Sequence, residues 1–123
     1  MARSNQQGKT SSELMHTIEE LRRISRENSA PMWRAIADRL ERPSRNWAVV
    51  NLDHASVSLA EGETGVVPGR VLGGGAARKG LRLAAYGFSG SAREKVKAAG
   101  GSALSLLELA ASDPSGSKIR ILG

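Results

Sequence analysis

Apolar positions recur at helical spacing twice in the first forty residues. Leu14, Ile18 and Leu21 fall three or four apart, Met15 and Ile24 widen the stripe, and Thr10 with Glu13 has the spacing of a capping box ahead of it. Ser29 and Pro31 form a second start signal, after which Trp33, Ile36, Ala37 and Leu40 make another apolar face that Pro43 ends. The pattern predicts a helical hairpin with a basic outer side carrying Arg22, Arg23 and Arg26. Residues 1–9 are polar, hold Arg3 and Lys9, and read as a flexible basic tail. Residues 10–123 read as one domain.

From residue 47 the texture changes to short extended runs. "WAVVNL" predicts a strand, "GVVPGRVLG" two brief extended pieces about a turn at Pro68 and Gly69, "LRLAAYGF" another strand, and "KIRIL" a terminal one. Ser91 and Glu94 have capping-box spacing for a helix over 91–100 that Gly100 and Gly101 end. Ser105 and Glu108 do the same for "LLELAAS", broken by Asp113 and Pro114. Asp53 and His54 fit a turn better than a strand, where neighbours point to opposite faces. The expected fold is α/β: an N-terminal helical hairpin, then short strands alternating with short helices in a single domain.

Composition narrows the picture. Of 123 residues, 40% are hydrophobic but only 3% aromatic, so small aliphatic side chains must fill the interior and let helices pack closely on a short sheet. There is no cysteine, which excludes a disulfide framework and a cysteine zinc site and suits a reducing cytoplasm. No apolar run approaches the ~18–20 residues of a membrane span, and the start lacks a signal core, so an intracellular protein without a membrane partner is expected. The formal charge of +6 favours a polyanionic partner. His16 and His54 lie far apart in the chain with no carboxylate cluster beside them, so no metal site is expected.

The stretch "VVPGRVLGGGAARKG", residues 66–80, is compatible with two chemistries. A P-loop needs lysine and then serine or threonine straight after its last glycine, but Leu81 and Arg82 follow Gly80. A dinucleotide fingerprint needs a third glycine where Arg78 stands, and a helix where "LRLAAYGF" reads as a strand. No cofactor, small-molecule substrate or catalytic residue is therefore expected. The rival reading is a small nucleotide-binding enzyme using the 69–80 glycine-rich loop. A free-standing regulator that binds DNA or protein is a third.

The basic residues in tail and loops offer another reading. Arg3 and Lys9, Arg42 and Arg45 around Pro43, and Arg70, Arg78 and Lys79 among Gly69, Gly73 and Gly74 are candidate RNA contacts. Guanidinium groups fork onto phosphate oxygens, and glycine lets backbone approach closely. Few aromatics means no evident base-stacking platform, so folded RNA met through its backbone fits best.

The order of segments resembles a known family. "KTSSELMHTIEELRRIS", "WRAIADRLERPSRNWAVVNL", "VVPGRVLGGGAARKGLRLAAYGFSGSAREKVKAAGG" and "LLELAASDPSGSKIRIL" look like the large-subunit ribosomal L-eighteen-e family of archaea and eukaryotes, related to the universal L-fifteen family. The resemblance implies irregular strand–strand–helix turns, a structural role in the large ribosomal subunit of the cytoplasm, partners in large-subunit ribosomal RNA and neighbouring ribosomal proteins, and no catalysis. The compact length looks archaeal. Lys9 and Thr10 resemble the family's lysine–threonine start, after which Ser11 and Ser12 replace its usual asparagine and proline. Arg42, Pro43, Ser44 and Arg45 match its proline–basic loop, Ser44 standing where a further basic residue is common, and Gly69 and Arg70 match its proline–glycine–basic turn.

Overall fold

The computed structural model describes residues 11–123. Arg3, Lys9, Thr10 and the expected tail lie outside them. Helix α1 (Ser12–Asn28) is capped by Ser11, whose hydroxyl accepts from the Leu14 amide, so the N-cap falls one residue after the predicted Thr10. Ser29 closes this helix in a left-handed conformation (φ 51°) instead of opening the next one. Helix α2 (Pro31–Leu40) follows with its proline in the first turn.

A 3-10 turn (Ser44–Asn46) leads into β1 (Ala48–Asn51), and the predicted turn at Asp53 and His54 is instead helix α3 (Leu52–Ser58). Its apolar face is only Leu52 and Ala55, too short a pattern to stand out. Then come β2 (Thr64–Leu72), β3 (Arg82–Phe88), α4 (Gly90–Ala98), β4 (Ser102–Ser105), α5 (Leu106–Ser112) and β5 (Ile119–Ile121). Strand β4 escapes sequence reading because "SALS" has no β-branched residue; pairing with Arg82 to Ala85 makes it extended. The α4 cap is Ser89, accepting from the Ala92 amide, not Ser91. The Ser105–Glu108 capping box forms as predicted.

All strand pairs are parallel. The order is β1-β2-β3-β4, and β5 also pairs with β2. Strands β5 and β1 therefore share one side of β2, the first along Thr64–Val66 and the second along Gly69–Leu72. The handover falls at Pro68 and Gly69, which form an irregularity in one continuous strand instead of the predicted turn. Proline lacks an N–H for the ladder and so belongs at such a break.

A parallel sheet needs cover on both faces. Helices α1, α2 and α5 cover one, burying Leu14, Leu21, Trp33, Ile36 and Leu109 against Val66 and Ala84. Helices α3 and α4 cover the other, burying Leu52, Ala55, Ala92 and Val96 against Val67, Leu83 and Ala85. Small side chains such as Ala84 and Ala85 at the sheet's centre let helices approach closely, as the low aromatic content requires. The Trp33 indole N–H donates to the Pro114 carbonyl (2.9 Å), tying α2 to the segment after α5.

The hairpin's outer side is not net basic. Residues 12–41 hold six carboxylates against five arginines. Arg22 bridges Asp38 (2.9 Å) and Glu41 (2.6 Å), while Arg23 bridges Glu20 and Glu27. Hydrogen bonds from the guanidinium groups hold the Glu41 and Glu20 carboxyls below their usual range and raise the arginines. The chain's positive excess consequently falls elsewhere.

Candidate nucleic-acid interface

The glycine-rich segment is a stretched strap, not a cradle. Because β2 and β3 are parallel, and Gly65 pairs with Leu83, the chain leaving Leu72 must return to the level of Thr64 before Arg82. Eight strand residues span about 26 Å, and the connection can reach only about 35 Å when fully extended. Little slack remains to fold around a phosphate.

Its glycines are explained by what they pass. A Cβ on Gly73 would overlap the Ser91 hydroxyl, one on Gly74 would meet the Asn51 side chain, and Gly75 (φ +81°) runs against Asp53. Gly74 is bonded on both sides: its N–H donates to Asn51 Oδ1 (3.0 Å), and its carbonyl accepts from Asp53 N–H (3.1 Å). Lys95 Nζ clamps the carbonyls of Gly73 (2.7 Å) and Gly75 (2.9 Å). Lower down, Ser56 accepts from the Arg78 amide, and the Arg78 guanidinium donates to the carbonyls of Ser56 and Leu59. A cation there satisfies the C-terminal end of α3. In open α/β sheets ligands settle beyond the carboxyl ends of the strands. Here the strap itself fills that place between β1, β2 and α4, where a nucleotide would otherwise sit.

Lys95 gives no signal in the sequence, since its partners lie some twenty residues earlier. Replacing it with methionine keeps the aliphatic stem and removes two charge-assisted bonds. We expect a loss of about 1–2 kcal/mol in urea unfolding, and faster hydrogen exchange at the Asp53 and Gly74 amides.

Gly69 is likewise internal. It is buried opposite Ala48, and a Cβ there would overlap the Ala48 carbonyl oxygen. It serves the approach of two strands and does not face outward.

The remaining candidates divide between two ends of the molecule. Lys79 stands with Arg78 and Arg82 at the lower end of the strap, around a polar hollow that Glu61 and Glu63 share. Glu63 is bonded to Arg120, which lowers its carboxyl, so this end carries mixed charge. At the other end Arg42, Arg45 and Arg70 are exposed, and the adjacent Glu41 is engaged by Arg22. Arg42, Ser44 and Arg45 are exposed on the connection from α2 to β1, which the Trp47 indole closes by donating to the Arg42 carbonyl (3.0 Å). That connection enters β1 where Ala48 pairs with Gly69, and the next pair is Val49 with exposed Arg70. Arg39, one helical turn before Arg42, lines the same hollow with Asn46 and Pro68, and donates to the Gly123 carbonyl. Its spacing from Arg42 is the available sequence signal. Among the described residues, Arg42, Arg45 and Arg70 have no carboxylate within ion-pair distance.

Trp33 is buried, and Trp47, Tyr86 and Phe88 are half-buried. Trp47 and Tyr86 meet edge to face with centroids 5.2 Å apart, and burial raises the Tyr86 phenol. Leu14 and Met15 line a hollow with Arg42 and Pro43, so the start of α1 lies near this basic end. Among the described residues no group of three or more His, Cys, Asp or Glu side chains is placed to hold a metal, and no helix is long and apolar enough to cross a membrane.

Comparison with known proteins shows the family. Residues 12–104 match the model of a family described as the ribosomal proteins 50S-L15 and 50S-L18e and the 60S protein L-twenty-seven-a. The chain is 45% identical over 114 residues to the large ribosomal subunit protein eL18 of Methanoregula boonei, covering 93% of this chain and 94% of that protein. It is 41% identical to the protein of the same name from Halobacterium salinarum, covering 93% and 97%. The Methanopyrus kandleri protein of that name is 43% identical over 120 residues, with 94% of each covered. A match to the family model over most of the chain, with relatives 41–45% identical over 93–94% of it, shows that the chain belongs to the ribosomal protein family that unites L-fifteen, L-eighteen-e and L-twenty-seven-a.

Proposed function

We propose that this protein is a structural constituent of the large ribosomal subunit in the cytoplasm, where it binds folded large-subunit ribosomal RNA and sits beside other ribosomal proteins. The observation that carries the reading is the set Arg42, Arg45 and Arg70, exposed on a braced loop and the neighbouring strand with no carboxylate within ion-pair distance among the described residues. Guanidinium forks there neutralise phosphates and release counterions, and Ser44 adds a hydroxyl. The tail residues Arg3, Lys9 and Thr10 extend the contact, and Lys79 supplies a second one at the far end. Gly69, Gly73, Gly74 and Arg78 act by holding these surfaces in place. The mechanism is placement of fixed charge, with no reaction step.

Two measurements test this. In a sucrose gradient of native extract, the chain is expected to travel with the large subunit and to resist a moderate salt wash; recovery only as free protein at the top overturns the reading. With purified protein and large-subunit RNA, alanine at Arg42, Arg45 and Arg70 together should lower the slope of log affinity against log salt by roughly 2–3. Circular dichroism should stay unchanged. An unaltered slope removes these three residues from the interface.

A further inference from the structure

The loop that carries Arg42, Ser44 and Arg45 is held by few contacts. Residues 41–46 are all exposed, and none of their side chains joins either core. Two short-range backbone bonds turn the chain, from Asn46 N–H to the Pro43 carbonyl (2.8 Å) and from Trp47 N–H to the Ser44 carbonyl (3.1 Å). Among the described residues, one side chain bonds the backbone of 42–46. It is the Trp47 indole, which donates to the Arg42 carbonyl (3.0 Å). That bond closes a ring of chain from Arg42 to Trp47, and Arg42 and Arg45 both lie within it.

The indole is itself anchored. It meets Tyr86 of β3 edge to face, with centroids 5.2 Å apart, and packs against the core under α1, α2 and α5. The loop is thereby tied to the central strands of the sheet, and Arg70 stands on the strand beside β3. Folding alone does not require the bond. The Arg42 carbonyl is accepting at an exposed site, where water would satisfy it nearly as well. Trp33 is the contrast: it is wholly buried, and its N–H serves a part-buried carbonyl. A bond that adds little stability but fixes a cationic loop suits recognition, because an arginine already in place loses less freedom when a phosphate arrives.

We propose that Trp47 is a positioning residue of the RNA interface, holding Arg42 and Arg45 in the arrangement that meets backbone phosphates. The indole does not touch the RNA. The proposal rests on the RNA-binding reading above and deepens it. Since the indole works through the two arginines, its effect needs them.

The test uses the full chain and a large-subunit ribosomal RNA transcript, at a temperature where circular dichroism shows every variant folded. Trp47→Phe keeps a ring against Tyr86 and removes the donor, whereas Tyr86→Leu keeps the donor and removes the ring's partner. Each is expected to lower affinity about three- to tenfold, the cost of ordering the loop on binding. The slope of log affinity against log salt should stay at its wild-type value, because the same phosphates are neutralised. The Asn46 amide should exchange faster in both free variants. Alanine at Arg42 and Arg45 together lowers the slope by roughly 1–2, and in that background Trp47→Phe should cost no further affinity. Wild-type affinity in Trp47→Phe overturns the proposal. So does an undiminished loss in the doubly substituted background, which would put the indole in direct contact with RNA. A wild-type protein that fails to bind the transcript, or two alanines that leave the slope unaltered, would instead overturn the underlying reading of this end.

Discussion

Alanine at Gly69 is expected to separate β1 from β2 and destabilise the protein by about 3 kcal/mol or more, the range of severe overpacking. The added methyl has nowhere to go, because it would overlap the Ala48 carbonyl oxygen, a backbone atom that cannot rotate aside. Relief requires the strands to move apart, which breaks the pairing from Ala48–Gly69 to Asn51–Leu72. The Arg42–Arg45 connection and the partner of Arg70 then lose their anchor. Urea unfolding, with hydrogen exchange at Val50 and Asn51, measures both effects. Gly90→Ala is the control: it opens α4 with no neighbour within 4 Å, and stability should be unchanged or rise by up to about 1 kcal/mol. Wild-type stability in Gly69→Ala would mean that β1 and β2 do not pair in this register, and the pairing of Val49 with Arg70 would dissolve with it.

The elements with long periodic faces are legible in the sequence. The hairpin faces of Leu14, Ile18 and Leu21, and of Trp33, Ile36 and Leu40, are buried as their spacing predicts. So is the capping box at Ser105, whose two residues bond each other, formed as its spacing predicts. Element ends are less legible, because the signals there are degenerate. Ser89 and Ser91 flank Gly90, and only Ser91 has a glutamate three positions on, yet the structure caps the helix with Ser89. Strand β4 and helix α3 are short and take their conformation from the strands beside them, which no local window contains.

The glycine-rich stretch shows most clearly what a sequence leaves open. Glycine gives one letter for three causes: a left-handed backbone at Gly75, a neighbour too near for a methyl at Gly69 and Gly73, and a shift of strand register at Gly87. Only the fold distinguishes them. The same holds for the cations. Arg78 and Lys79 are adjacent in sequence, yet Arg78 turns in to the end of α3 while Lys79 lines an outer hollow. The excess of arginine and lysine points to a polyanion, but which arginines answer it depends on where Asp38, Glu41, Glu20 and Glu27 are already engaged.

Trp33→Ala is expected to lose about 3–5 kcal/mol, a large share of what a domain of this size has. The indole is wholly buried between α1, α2 and the sheet, and it is the largest fully buried side chain of the described residues. Its removal leaves a cavity that packed neighbours fill only in part. Its N–H also holds the Pro114 carbonyl, 81 positions away, and so closes the helical layer against the chain that leads to β5. Trp33→Phe separates the two contributions, because it keeps most of the ring and removes the donor. It should lose about 1–2 kcal/mol, with the urea midpoint lowered and the slope unchanged. Trp47 remains as the fluorescent reporter in both. Since α2 carries Arg39 and leads directly to Arg42, RNA affinity in Trp33→Ala should fall with the folded fraction and recover where the chain is cooled or the urea removed. Equal losses in the two variants would assign the anchoring to the Pro114 bond instead of to burial, and would place the weak point of the hairpin at its link to β5 rather than in its core.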